Sequence, residues 1–185
     1  ARHTVTLAQI EQQFAAFARK RAEGLAPDVD WEQPSAEQVN PSNPEAVAEW
    51  LAKRPNSFWA LQLQVRMLLA GERWEEAKEP LEKLIDLYPE HVGEGNAYQL
   101  LASVHRRLDE IERERDVLSR LAEMSSDAAD AYMRLMEIAA ERKSWDQVVE
   151  NAGRYLAVYP MLGRVYESLG RAAEELGRSE QAVDA

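Results

Sequence analysis

The sequence predicts an all-α fold of antiparallel helix pairs stacked side by side, and three observations predict it. Tyr98, Tyr132 and Tyr166 fall 34 residues apart, and Leu101, Leu135 and Leu169 keep the same interval. Two residue types sharing one period mark a structural repeat. The shift also carries Ile111 onto Trp145 and Leu118 onto Ala152, and Pro55 and Pro89 are again 34 apart. Third, apolar residues recur at three- and four-residue spacing, as in Leu100, Leu101, Val104 and Leu108 or Val117, Leu118, Leu121 and Met124, so each predicted helix has one face to bury. A hairpin of two such helices cannot cover its own apolar surface and must stack on its neighbours.

The elements follow in order. Thr6 to Glu23 reads as a long amphipathic helix with Leu7, Ile10, Phe14 and Phe17 on one stripe, Thr6 and Gln9 as a capping box and Gly24 as a stop. Leu25 to Asn43 is irregular, with Pro27, Pro34 and Pro41, and residues 1–42 together form an N-terminal helix and arm. Asn43 caps a half-unit over 43–55 with Pro44 at its first position. The array then runs as units 56–90, 96–126 and 130–160, with a partial unit 164–185. Pro80 falls inside a predicted helix, where the missing N–H and the ring clash cost about 3 kcal/mol, so a bend on the solvent face is expected. Ser144 with Gln147 reads as a capping box, and the prolines after Tyr88 and Tyr159 end two helices. Phe58, Leu61, Val65 and Leu68 would form an apolar patch if exposed, so a cover is expected, with the N-terminal helix as a cap or as the missing partner of the half-unit.

Tyr132, Leu135, Trp145 and Pro160 resemble the tetratricopeptide repeat, whose pattern is W-x2-L-G-x2-Y, then A-x3-F, then P. Tyr166, Leu169, Gly170, Gly177 and Ala182 resemble it again, as do Gly71, Trp74, Ala77, Leu81 and Pro89, there with one extra residue in the inter-helix turn. Glu114 departs from the pattern where a small residue is expected, Ser126 replaces the closing proline, and His91 to Gly95 lengthens one connection by about three residues. The resemblance implies a right-handed superhelix with an N-terminal capping helix, acting as a protein-interaction scaffold whose concave wall is lined by the first helix of each unit. Carried over by position, that wall holds Gln99, Ser103, Arg106, Met133, Arg134, Glu137, Arg164, Glu167 and Arg171. Guanidinium groups grip carboxylates through paired hydrogen bonds, so an acidic or C-terminal peptide is one expected guest. The competing account pairs these arginines with Glu137, Glu167 and their neighbours as a solvated wall. The Lys and Asn pattern of domains that clamp chaperone tails is absent.

Composition bounds the remaining classes. With 33 acidic against 22 basic residues the net charge is −11, and phosphate backbones would be repelled. No cofactor motif, GxSxG or phosphate loop occurs, and His3, His91 and His105 do not form a metal-ligand spacing. His105 occupies an aromatic slot and reads as a packing residue. Catalysis by this segment is not expected, and its apolar runs are too short to span a bilayer. The start at Ala1 reads as an excised piece of a larger bacterial polypeptide. Thr6-Leu7 to Glu23 is faintly similar to the stretch joining a zinc-peptidase-like domain to a C-terminal repeat array, which would make this an accessory domain of a hydrolase. Since Ala182 opens a second helix that stops at Ala185, Tyr166, Leu169 and Ala173 are expected to be incompletely covered, leaving self-association through the C-terminal end as a third reading. Cysteine is absent and fits more than one compartment, so location is left open.

Overall fold

The computed structural model describes residues 6–35 and 37–178. His3, Ala182, and the side chains of Leu7 and Gln9 lie outside the described residues. Among the described residues there are nine α-helices: α1 (Leu7–Leu25), α2 (Pro44–Lys53), α3 (Phe58–Ala70), α4 (Trp74–Leu87), α5 (Ala97–Arg107), α6 (Ile111–Met124), α7 (Ala129–Glu141), α8 (Trp145–Val158) and α9 (Gly163–Glu175). From α2 to α9 each helix packs on the next, which is the contact pattern of a solenoid. No described helix is long and apolar enough to cross a membrane.

The repeat is visible in matched surroundings. Tyr98 donates its hydroxyl to the Pro89 carbonyl at 3.1 Å, Tyr132 to those of Ala122 at 3.0 Å and Ser125 at 3.3 Å, and Tyr166 to that of Pro160 at 3.0 Å. Each phenol thus ties a first helix to the end of the preceding second helix. The turns inside the pairs match as well. Glu72, Asp109, Lys143 and Gly177 all have positive φ, between 55° and 70°. Residues 71–73, 108–110 and 142–144 are equal three-residue turns, so the extra residue expected in the first of them is not there. The added length lies in the connection 88–96, where Tyr98 sits 24 residues after Trp74 while Tyr132 sits 21 after Ile111. Asn96, fully buried, holds that connection: its amide donates to the Gly93 carbonyl at 2.6 Å and its oxygen accepts from the Gln99 N–H at 3.0 Å.

Two helix-end and helix-face expectations are corrected. Pro80 is buried, not on the solvent face, because it extends the stripe Ala77, Leu81, Leu84 of α4, and the helix continues through it. The carbonyl deprived of a partner belongs to Glu76, which is exposed and open to water. Ser144 makes no side-chain cap; the preceding left-handed Lys143 sets its backbone at φ −84° and ψ 67°, away from the extended geometry a capping side chain needs. Asn43 does cap α2, accepting from Glu45 at 2.9 Å. At the other end Tyr166 and Leu169 are only partly buried, the incomplete cover expected, whereas Ala173 is buried.

Among the described residues, contacts from the arm cover the first repeat. Asp30 forms a parallel bridge with Ser57, and its carboxylate accepts from Arg54 Nε and Nη2 at 2.6 and 2.9 Å. Trp31 then packs on Phe58 with ring centroids 5.0 Å apart. Leu61, Val65 and Leu68 are buried in the core that runs through α3 to α9, while Val39 of the arm joins Val47 and Ala60 beside Trp50. On α1, Ile10, Phe14 and Phe17 are exposed, the last two by 68% and 65%, and among the described residues α1 forms no helix pair comparable to the others.

Candidate peptide-binding face

The first helices α3, α5, α7 and α9 present the candidate wall. On α5, Gln99 is half-buried, Ser103 is exposed and turned back onto the Leu100 carbonyl at 2.7 Å, and Arg106 is exposed. On α7, Met133 packs against the core, Arg134 is half-buried and Glu137 is exposed. Arg164, Glu167 and Arg171 of α9 are exposed.

The four arginines are not equivalent. Arg134 donates Nε and Nη2 to the two carboxylate oxygens of Glu114 at 2.7 and 3.0 Å, and Nη1 to Glu137 at 3.0 Å. Glu114 has only 3% of its side chain exposed, so this is a bidentate pair shielded from water. The Glu114 hydrogen bonds hold Arg134 more firmly protonated than a free arginine, against the opposing effect of burial. Arg171 lies over the Trp145 ring, 5.5 Å from its centroid. Arg106 and Arg164 make no side-chain ion pair or hydrogen bond among the described residues.

Further ion pairs tie one unit to the next near the inter-helix turns. Lys78 Nζ reaches Glu110 at 3.2 Å, Glu112 pairs with Arg142, and Asp146 with Arg178 at 3.0 Å. His105, 2% exposed, shares Glu110 through Nδ1 at 2.6 Å, confirming it as a packing residue with a partner. That hydrogen bond, followed by those from Lys78, holds the Glu110 carboxyl below its ordinary range.

Sequence reasoning left the first unit out of the wall. A shift of 37, the repeat plus the three extra connection residues, carries Gln62 onto Gln99 and Arg66 onto Ser103. Both line a cavity of about 250 Å³ between α3 and α5. The usable signal was the long connection, once its three residues are assigned between units and not within one.

Helix pairs with equal turns, equivalent tyrosines and nearest-neighbour packing define an all-α repeat solenoid. Residues 59–91 match the tetratricopeptide repeat family. It is similar to the crystal structure of the MamA protein, at 26% identity over 76% of this chain and 75% of that one, with a TM-score of 0.58. A second MamA crystal structure gives 26% identity over 76% and 80%, with a TM-score of 0.59. The structure of Naa15/Naa10 bound to HypK-THB, at 14% identity over 75% of this chain and 20% of that one with a TM-score of 0.59, is similar in fold alone. No curated protein sequence matches the chain. Tetratricopeptide-type folds are generally non-catalytic scaffolds that mediate protein–protein interaction. The zinc-peptidase-like resemblance of α1 gains no support from these comparisons.

Proposed function

We propose that the chain is a protein-interaction scaffold whose first-helix face binds an extended acidic peptide from a partner. The observation that carries this reading is the division among the wall's arginines. Arg134 is consumed by Glu114 and Glu137, whereas Arg106 and Arg164 stand exposed on an acidic molecule with no partner among the described residues. An unpaired guanidinium is free to take a carboxylate through two hydrogen bonds. Interactions of this size in a peptide groove fall near micromolar affinity, about −8 kcal/mol.

Titration calorimetry of the full chain against an acidic peptide library tests the reading. Binding is expected to weaken about tenfold in Arg106→Glu and in Arg164→Glu. No heat from any peptide, or an unchanged response in both variants, would remove the proposal.

Self-association is a second reading, favoured by the exposed Ile10, Phe14 and Phe17 on α1. Light scattering that shows the monomer mass up to high micromolar concentration would remove it.

A further inference from the structure

We infer that the cavity between α3 and α5 is an anchor pocket for one bulky apolar side chain lying next to a carboxylate in the bound peptide, with Arg66 taking that carboxylate. The inference rests on the proposed peptide-binding face and names its specificity element. Val65 and Leu84, both buried, form the floor; Phe58, Leu69 and Leu100 form apolar walls. The long connection closes one side with His91 and Gly95.

Three features give the cavity this occupant. Its volume of about 250 Å³ is below the roughly 300–1,000 Å³ of small-molecule sites, so it suits a side chain rather than a cofactor. Its lining has no charged group except Arg66, which is exposed on α3 one turn beyond Gln62. Arg66 makes no side-chain ion pair or hydrogen bond among the described residues, so its charge is available. Leu100 occupies the register position that Arg134 holds in α7. At the next interface, therefore, the cavity between first helices is lined by charged groups, Arg106, Glu114 and Arg134 among them, where the lining here is largely apolar. An apolar group in this cavity sheds water against Phe58, Leu69 and Leu100, while its neighbouring carboxylate stays at the mouth beside Arg66.

Fluorescence anisotropy of the full chain with labelled peptides tests the assignment. The matched set carries Leu, Phe or Ala beside a C-terminal carboxylate, beside a C-terminal amide, or beside an internal Asp. Leu and Phe peptides with a carboxylate are expected to bind at least tenfold more tightly than the Ala and amide versions. The internal-Asp arm separates a side-chain carboxylate from a chain terminus. Gln62→Trp, which fills the mouth from a half-buried position, and Arg66→Glu should each weaken binding at least tenfold, with unchanged circular dichroism. Arg164→Glu should leave the apolar preference intact.

Binding that depends on Arg106 and Arg164 but ignores the apolar residue and Gln62→Trp overturns the pocket and leaves the groove standing. No binding by any peptide overturns both. Concentration-dependent association lost equally in Gln62→Trp and in Phe14→Ser assigns the pocket to α1 of a second copy and overturns the peptide assignment.

Discussion

Arg134 on α7 and Glu114 on α6 form a two-point ion pair at 2.7 and 3.0 Å, shielded from water at the junction of two repeats. The corresponding positions of the first interface hold Leu100 and Ala77, both apolar. The departure of Glu114 from the small residue the repeat favours is therefore compensated by an equally unusual residue across the interface.

Removing one partner should cost far more than removing both. Glu114→Ala leaves Arg134 with only the exposed Glu137 and is expected to destabilise the fold by about 2–4 kcal/mol. Glu114→Ala combined with Arg134→Leu copies the first interface and should recover to within about 1 kcal/mol of the parent. Urea unfolding measures both, and a double variant no more stable than the single would contradict the account.

The tyrosine hydroxyls should differ in value according to burial. Tyr132→Phe strands the buried hydrogen-bonding direction of the Ala122 carbonyl and is expected to cost about 1–2 kcal/mol. Tyr166→Phe removes an exposed hydrogen bond and should cost less than about 0.5 kcal/mol. Equal losses in thermal unfolding would show that the hydroxyls act through something other than shielding.

Asn96 both caps α5 and fastens the long connection. Asn96→Ala should destabilise by about 2 kcal/mol and raise amide exchange across 91–95, since the Gly93 carbonyl and the Gln99 N–H lose the same partner. Destabilisation without faster exchange there would confine its role to the helix cap.

His91 stacks on Tyr88 at 5.6 Å, and desolvation pushes its pKa down from the ordinary histidine value. The unfolded chain then binds the proton more readily. Its contribution to stability is full above the unfolded pKa of about 6.5 and is lost as pH falls through the lower folded value. The urea midpoint should drop between pH 7.5 and pH 5.5 more in the parent than in His91→Phe. Identical pH profiles would rule His91 out as a source.

The first-helix wall was only partly readable from the sequence. The family resemblance proposed Gln99, Arg106 and Arg164 for it, but which arginines are free depends on side chains brought from other helices. Arg134 is engaged by Glu114, 20 residues away, and nothing in the α7 sequence announces it. Pro80 could have been placed on the buried face, because it lies three residues after Ala77 and one before Leu81 on the same stripe.

By itself the sequence determined the helix pairs, their interval and the equivalent places of Tyr98, Tyr132 and Tyr166, because periodic burial and proline stops act within a few residues of chain. Tertiary structure decided that Asp30 and Trp31 of the arm pack on the first repeat. It also decided that the cavity between α3 and α5 has a largely apolar lining while the one beside α7 is lined by the Arg134–Glu114 ion pair. Those outcomes depend on which side chains meet across separate helices, a relation that helical periodicity does not encode.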